Sequence, residues 1–224
     1  MGTSRGTFLC GHILSPLSAH TGPMTTPDPT PPRDDAKDTL HRYLREASTA
    51  LVSKVEGLPE RELRLPRTPT GTTLLGLVKH VANVEAGYFG ETFGRAYPAP
   101  EELVPEEAVD ADPQADWVVG PEESAVQVLA TYARVRAFAD ETIALLPLDA
   151  AGHVPWWGER GEVTLHRILV HVATEIARHA GHADILREQV DGAAGLRGAG
   201  DNLPGADYDL AAYRARLQAI ADSF

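Results

Sequence analysis

Between Leu165 and Val190 the apolar residues fall at three- and four-residue steps: Leu165, Ile168, Val172, Ile176, Ala183, Leu186 and Val190. At 100° per residue, counted from His171, they occupy an arc from about 60° to about 140°. That stripe commits the segment to a long helix with one buried side. Thr164 stands where an N-cap is wanted, and "DG" follows Val190. Such a helix cannot bury its stripe alone, so other elements must pack against it.

Three more segments show the same period. Leu40, Tyr43, Leu44, Ala47, Leu51 and Val55 mark a first helix, closed by Gly57 and Pro59. Pro66 and Pro69 then mark a turn, with Thr70 or Thr72 available as a cap. Leu74, Leu77, Val81, Val84 and Tyr88 form the face of a second helix ending near Gly94. A third runs from about Pro121 to Leu146, and "DYDLAAYRARLQAIADSF" reads as a short closing helix. Nothing alternates strongly enough for a core strand. The expectation is an all-α fold: a four-helix bundle over residues 34–224 with a short additional C-terminal helix. Residues 96–120, rich in Pro, Glu and Asp, exceed the usual helix–helix loop. They leave room for a crossover and are either functional or loosely ordered.

Residues 1–33 end in a Pro/Thr/Asp tail and are expected to be a disordered extension, with Met24 an alternative first residue. "FLCGHILSPLSA" is broken by Gly11, His12 and Pro16 and makes a poor signal peptide. No apolar run approaches the ~18 residues of a membrane span. Cys10 is the only cysteine, which excludes an intramolecular disulfide and a Cys-based zinc site. The cytoplasm is the expected compartment. A net charge of −12 without a basic block argues against nucleic acid and anionic membrane surfaces as partners. A bundle face can also pair in a homodimer.

Inside the 165–190 stripe sits a histidine. His179 falls at about 80° on the wheel and Glu175 at about 40°, on its edge, with His182 and His171 further out. A carboxylate leaning into a dry interior needs a partner or a cation. His171 and His179 are about 12 Å apart along the axis and cannot share an ion. Glu175 and His179 can, and a third donor must come from another helix. His80 sits at the margin of the second helix's apolar face. The resulting His2Glu set suits a catalytic zinc with an open fourth position. The residues alone leave the bland reading open: a hydrogen-bonded core histidine, and Glu175 paired with Arg178 or His80. Ser/His/Asp triads and phosphate loops have no candidate, since "GLRGAGDN" follows no strand.

"TPTGTTLLGLVKHVANVEAGYFGETFG", "VPWW" and "TLHRILVHVATEIARHAGHADILREQVDG" together resemble the DinB-like superfamily. Within it they are closest to a branch described as mycothiol S-transferase-like, a likeness running from Asp34 to the C-terminus. The resemblance implies a four-helix bundle holding a divalent metal through His80, Glu175 and His179. Many members have a histidine where this chain has Glu175. The His–Glu–His set matches the zinc ligands of the mycothiol-dependent maleylpyruvate isomerase branch. It implies zinc as the metal, mycothiol as thiol co-substrate and transfer of the thiol to a small electrophile. His182 and His171 are then candidate partners of the ligands or acid/base groups. Trp156, Trp157 and Arg160 are candidates for the pocket, with Arg178 a further anion-binding candidate; the tryptophans can equally plug the bundle end. A hydrolase activating water on the same ligands, and a non-enzymatic stress-related binding module, are the alternatives.

Overall fold

A computed structural model describes residues 35–198 and 200–224. The expected N-terminal extension, with Met24 and Cys10, lies outside the described residues. Helix α1 (Ala36–Ser53) is capped by Asp35, whose carboxylate accepts from the amides of Lys37 and Asp38. After the short α2 (Glu60–Arg64) comes α3 (Leu74–Phe89), capped by Thr73. That cap stands one residue beyond the expected Thr72, because Thr73 itself is extended and its hydroxyl accepts from Gly76. The acidic connection is ordered: it forms α4 (Glu106–Ala111) and two single-turn 3-10 helices, Pro100–Glu102 and Ala115–Trp117. Helix α5 (Ala125–Leu145) starts at a capping box between Ser124 and Gln127, four residues later than Pro121.

A small antiparallel hairpin follows, β1 (Ala151–His153) with β2 (Glu162–Thr164), Gly152 opposite Val163. Its loop carries the two tryptophans in a 3-10 segment, Pro155–Arg160. Thr164 caps α6 (Leu165–Asp191), as the sequence implies, and Gly192 ends it at a φ of 77°, where a side chain would be strained. Helix α7 (Leu210–Ala221) begins at the cap Asp209 and is exposed along its whole length.

Four long helices, α1, α3, α5 and α6, enclose the core. Each contributes fully buried residues, among them Leu51, Leu77, Val81, Tyr132, Ile143, Ile168 and Ile176. Each large apolar side chain buried in this way stabilises the fold by about 1.5–3 kcal/mol. Contacts fix the directions. Lys79 meets Glu123, Glu85 meets Tyr132 and Arg95 meets Glu141, so α3 and α5 run parallel. His80 lies by His179 and Tyr88 by His171, so α3 and α6 run antiparallel. Two consecutive long helices that run parallel need a connection spanning the bundle. Residues 90–124 are that crossover, and they return the chain to the N-terminal end of α3.

The return is seated closely. A Cβ on Gly76 would lie 2.5 Å from the carbonyl oxygen of Trp117, so only glycine lets the crossover lie on α3 here. Lys79 donates to the carbonyl of Val118, and Arg64 to those of Val119 and Gly120. Asn83 accepts from the amide of Val104.

Candidate metal centre

The capped start of α3 directs His80 toward α6, where Glu175 and His179 occupy successive turns of one face. One donor atom from each of the three lies within 4.8 Å of the others. His179 Nε2 is 2.9 Å from Glu175 Oε1, and His80 Nε2 is 3.9 Å from the same oxygen. Donors around a tetrahedral zinc with bonds of ~2.0–2.1 Å stand about 3.3 Å apart, between these two values. The sequence-expected set is thus brought together by two antiparallel helices.

Glu175 is half-buried, and within 4.0 Å its partners among the described residues are the two imidazoles, with no Lys or Arg. Burial pulls its carboxyl upward, but the hydrogen bond and charge of His179, then the charges of His80 and Arg178, outweigh this and leave it below the usual value. Burial pulls the imidazole of His179 below its usual value, against the opposing effect of Glu175. At neutral pH the trio therefore presents a carboxylate and a neutral buried imidazole, the protonation states that ligate metals. His179 Nδ1 is buried and has no hydrogen-bond partner. A donor set of this chemistry fits a divalent cation.

Two residues from the crossover complete the wall. Asp116 Oδ2 is 2.6 Å from His80 Nδ1, and the indole of Trp117 stacks on the His80 ring at 4.0 Å and 17°. Trp117 also meets His179 edge-on at 5.3 Å. Sequence reasoning missed both. Only an aspartate–tryptophan pair inside a Pro/Glu/Asp-rich segment hinted at them.

The remaining candidates divide. His182 is exposed and touches His179 only ring to ring, at 5.4 Å. His171 lies one turn before Glu175 and turns to Tyr88, its Nε2 3.0 Å from the hydroxyl. Neither hydrogen-bonds a member of the trio. Trp156 and Trp157 donate their indole N–H groups to the same Tyr88 oxygen, at 3.3 and 3.1 Å. An indole nitrogen only donates, so the hydroxyl proton goes to His171 Nε2. His171 is thereby held neutral and protonated on Nδ1, in line with a value lowered first by burial. Tyr88, read from the sequence only as an apolar-face residue, joins α3, α6 and the tryptophan loop. Trp156 lies on α3 at Gly87, where a Cβ would be 3.0 Å from its ring. Trp157 and His171 also line a shallow cleft of about 450 Å³ on the outer side of α6. Arg160 is exposed and lines neither this cleft nor the trio.

No helix among the described residues is long and apolar enough to cross a membrane. Comparison with known proteins places these features. No curated protein matches the chain. Among solved structures, the chain is similar to YfiT from Bacillus subtilis, titled "a probable metal-dependent hydrolase with an unusual four-helix bundle topology". The match has 20% identity and a TM-score of 0.48, over 71% of this chain and 93% of that one. The mycothiol S-transferase family matches from residue 39 to 192, a span that runs from the first turn of α1 to the end of α6 and contains every residue of the trio. The chain belongs to the mycothiol S-transferase family.

Proposed function

We propose that the protein is a cytoplasmic, metal-dependent S-transferase that joins a low-molecular-weight thiol, mycothiol, to a small electrophile. The observation that carries this reading is the convergence of His80, Glu175 and His179 within 4.8 Å, with no Lys or Arg among the described residues paired to the carboxylate. Family membership supplies the thiol. The chain's single cysteine, Cys10, lies outside the described residues, and no described residue offers a thiol.

When bound by the trio, a divalent cation, zinc in this reading, supplies the charge that stabilises a thiolate at neutral pH. The chain's own residues do the rest. His80, Glu175 and His179 would hold the cation with three donors, and a zinc so held would still have room to take the sulfur of the co-substrate. Trp117 covers the His80 ring and keeps water from that side. Tyr88 holds Trp156 and Trp157 beside His171, and Trp157 lines the cleft on the outer side of α6; in this reading the two indoles give an aromatic wall to the organic part of the thiol. His171, with Nδ1–H free to donate, and His182 are placed to exchange protons with substrate. Arg178, whose charge already acts on Glu175, offers positive charge to an anionic electrophile, whereas exposed Arg160 lines neither the trio nor the cleft.

The test is thiol dependence. Metal-loaded protein, mycothiol and a generic acceptor such as chlorodinitrobenzene or a maleimide are expected to give conjugate at a rate first order in enzyme. Glu175→Gln, which keeps an oxygen donor but removes the charge, is expected to lose at least about 100-fold of that rate. Turnover of an ester or amide without any thiol would instead support the hydrolase reading.

A further inference from the structure

We propose that Asp116 is a positioning residue that aims His80 at the cation, so that docking of the crossover segment and metal affinity are linked. This rests on the metal-dependent reading of the trio above.

His80 stands between two carboxylates. Its Nδ1 is 2.6 Å from Asp116 and its Nε2 is 3.9 Å from Glu175. A neutral imidazole has one N–H, and the short contact places it on Nδ1, donating to Asp116. The Nε2 lone pair then faces the Glu175 carboxylate and His179. Glu175 Oε1 is also 2.9 Å from His179 Nε2, so the three groups converge on one point that a cation would take. A carboxylate behind a ligating imidazole fixes its tautomer and orientation and raises its basicity.

The support reaches beyond one hydrogen bond. Asp116 has 15% of its side chain exposed, and among the described residues its only ion-pair or hydrogen-bond partner is His80. Trp117, the next residue, stacks on the other side of the same ring. The backbone that follows Asp116 is anchored to α2 and α3: Gly76 gives it room, and Lys79 and Arg64 bind the carbonyls of residues 118–120. A long surface connection that spends this many contacts to deliver one aspartate and one indole to one imidazole is built for that imidazole.

The experiment is a zinc titration of metal-free full-length protein against a chromophoric chelator, beside thermal unfolding of the same metal-free samples. Asp116→Ala is expected to bind zinc about 10- to 100-fold more weakly than wild type. Asp116→Asn, whose side-chain oxygen still accepts from Nδ1–H, is expected to fall between the two. The melting temperatures of the metal-free variants are expected to match wild type. Wild-type zinc affinity in Asp116→Ala, while His80→Ala loses binding, overturns the role of Asp116 and leaves the metal reading standing. A lower metal-free melting temperature with unchanged affinity makes Asp116 a purely structural residue and also overturns it. Wild-type protein that takes up no divalent metal overturns both readings.

Discussion

Replacing His179 by alanine is expected to abolish stoichiometric binding of a divalent cation and thiol transfer together, while the metal-free variant keeps a wild-type helical spectrum and cooperative unfolding. His179 is 6% exposed and supplies the most deeply buried donor of the trio. A three-donor site that loses one donor has two left on separate helices. The affinity loss should exceed the 10- to 100-fold effect of removing a supporting hydrogen bond, so about 100-fold is its lower bound. The fold has little to lose. Alanine is the strongest helix former, and the deleted ring carries an unpartnered buried nitrogen. The lost hydrogen bond to the Glu175 carboxylate is worth about 1.5–3 kcal/mol, and half-buried Glu175 can recover part of it from water. Metal analysis and circular dichroism on one preparation check both halves. A variant that retains one equivalent of metal, or that fails to fold, contradicts the assignment.

The second large effect concerns Glu85, on the opposite side of α3 from the trio. It is 1% exposed, accepts from the Tyr132 hydroxyl at 2.6 Å, and has the Ser48 hydroxyl at 3.4 Å. Burial pushes its carboxyl from 4.5 up to about 7, against the lowering effects of Tyr132, Arg136 and Ser48. The folded state therefore holds this proton more tightly than the unfolded chain. The stabilisation is complete below pH ~4.5 and disappears as pH rises through ~7. Its full span is on the order of 3 kcal/mol, at ~1.4 kcal/mol per unit. Glu85→Gln removes the titration and keeps the shape. In urea unfolding the variant is expected to gain on wild type by about that amount between pH 5 and pH 8. A stability difference that does not change with pH would show that Glu85 stays charged in the folded protein.

The trio was legible in the sequence because it depends on local periodicity. His179 falls inside the apolar stripe of α6 and Glu175 on its edge, and they are buried and half-buried in turn. His80 occupies the corresponding margin of α3. The acidic composition of residues 96–120 showed that the connection was long, but not where it led. Asp116 and Trp117 reach His80 only because α3 and α5 run parallel, a property of topology that no short pattern encodes. The hydroxyl of Tyr88 is similar, since its three partners come from a loop and a distant helix. Glu85 is a different kind of miss. It stands four residues after buried Val81 and seven after buried Val78. Helix α3 packs against both α5 and α6 and so buries a second stripe, which a one-face reading overlooks. The closing helix was foreseen as α7, while its complete exposure was not.

The account stands or falls on a single cation held by His80, Glu175 and His179 with one position open to sulfur. The visible absorption spectrum of the cobalt-substituted protein reads this directly. One equivalent of cobalt should give the intense d–d bands of a tetrahedral ion, and added thiol should bring in a sulfur-to-cobalt charge-transfer band that His179→Ala lacks. A weak octahedral spectrum that thiol leaves unchanged would contradict it.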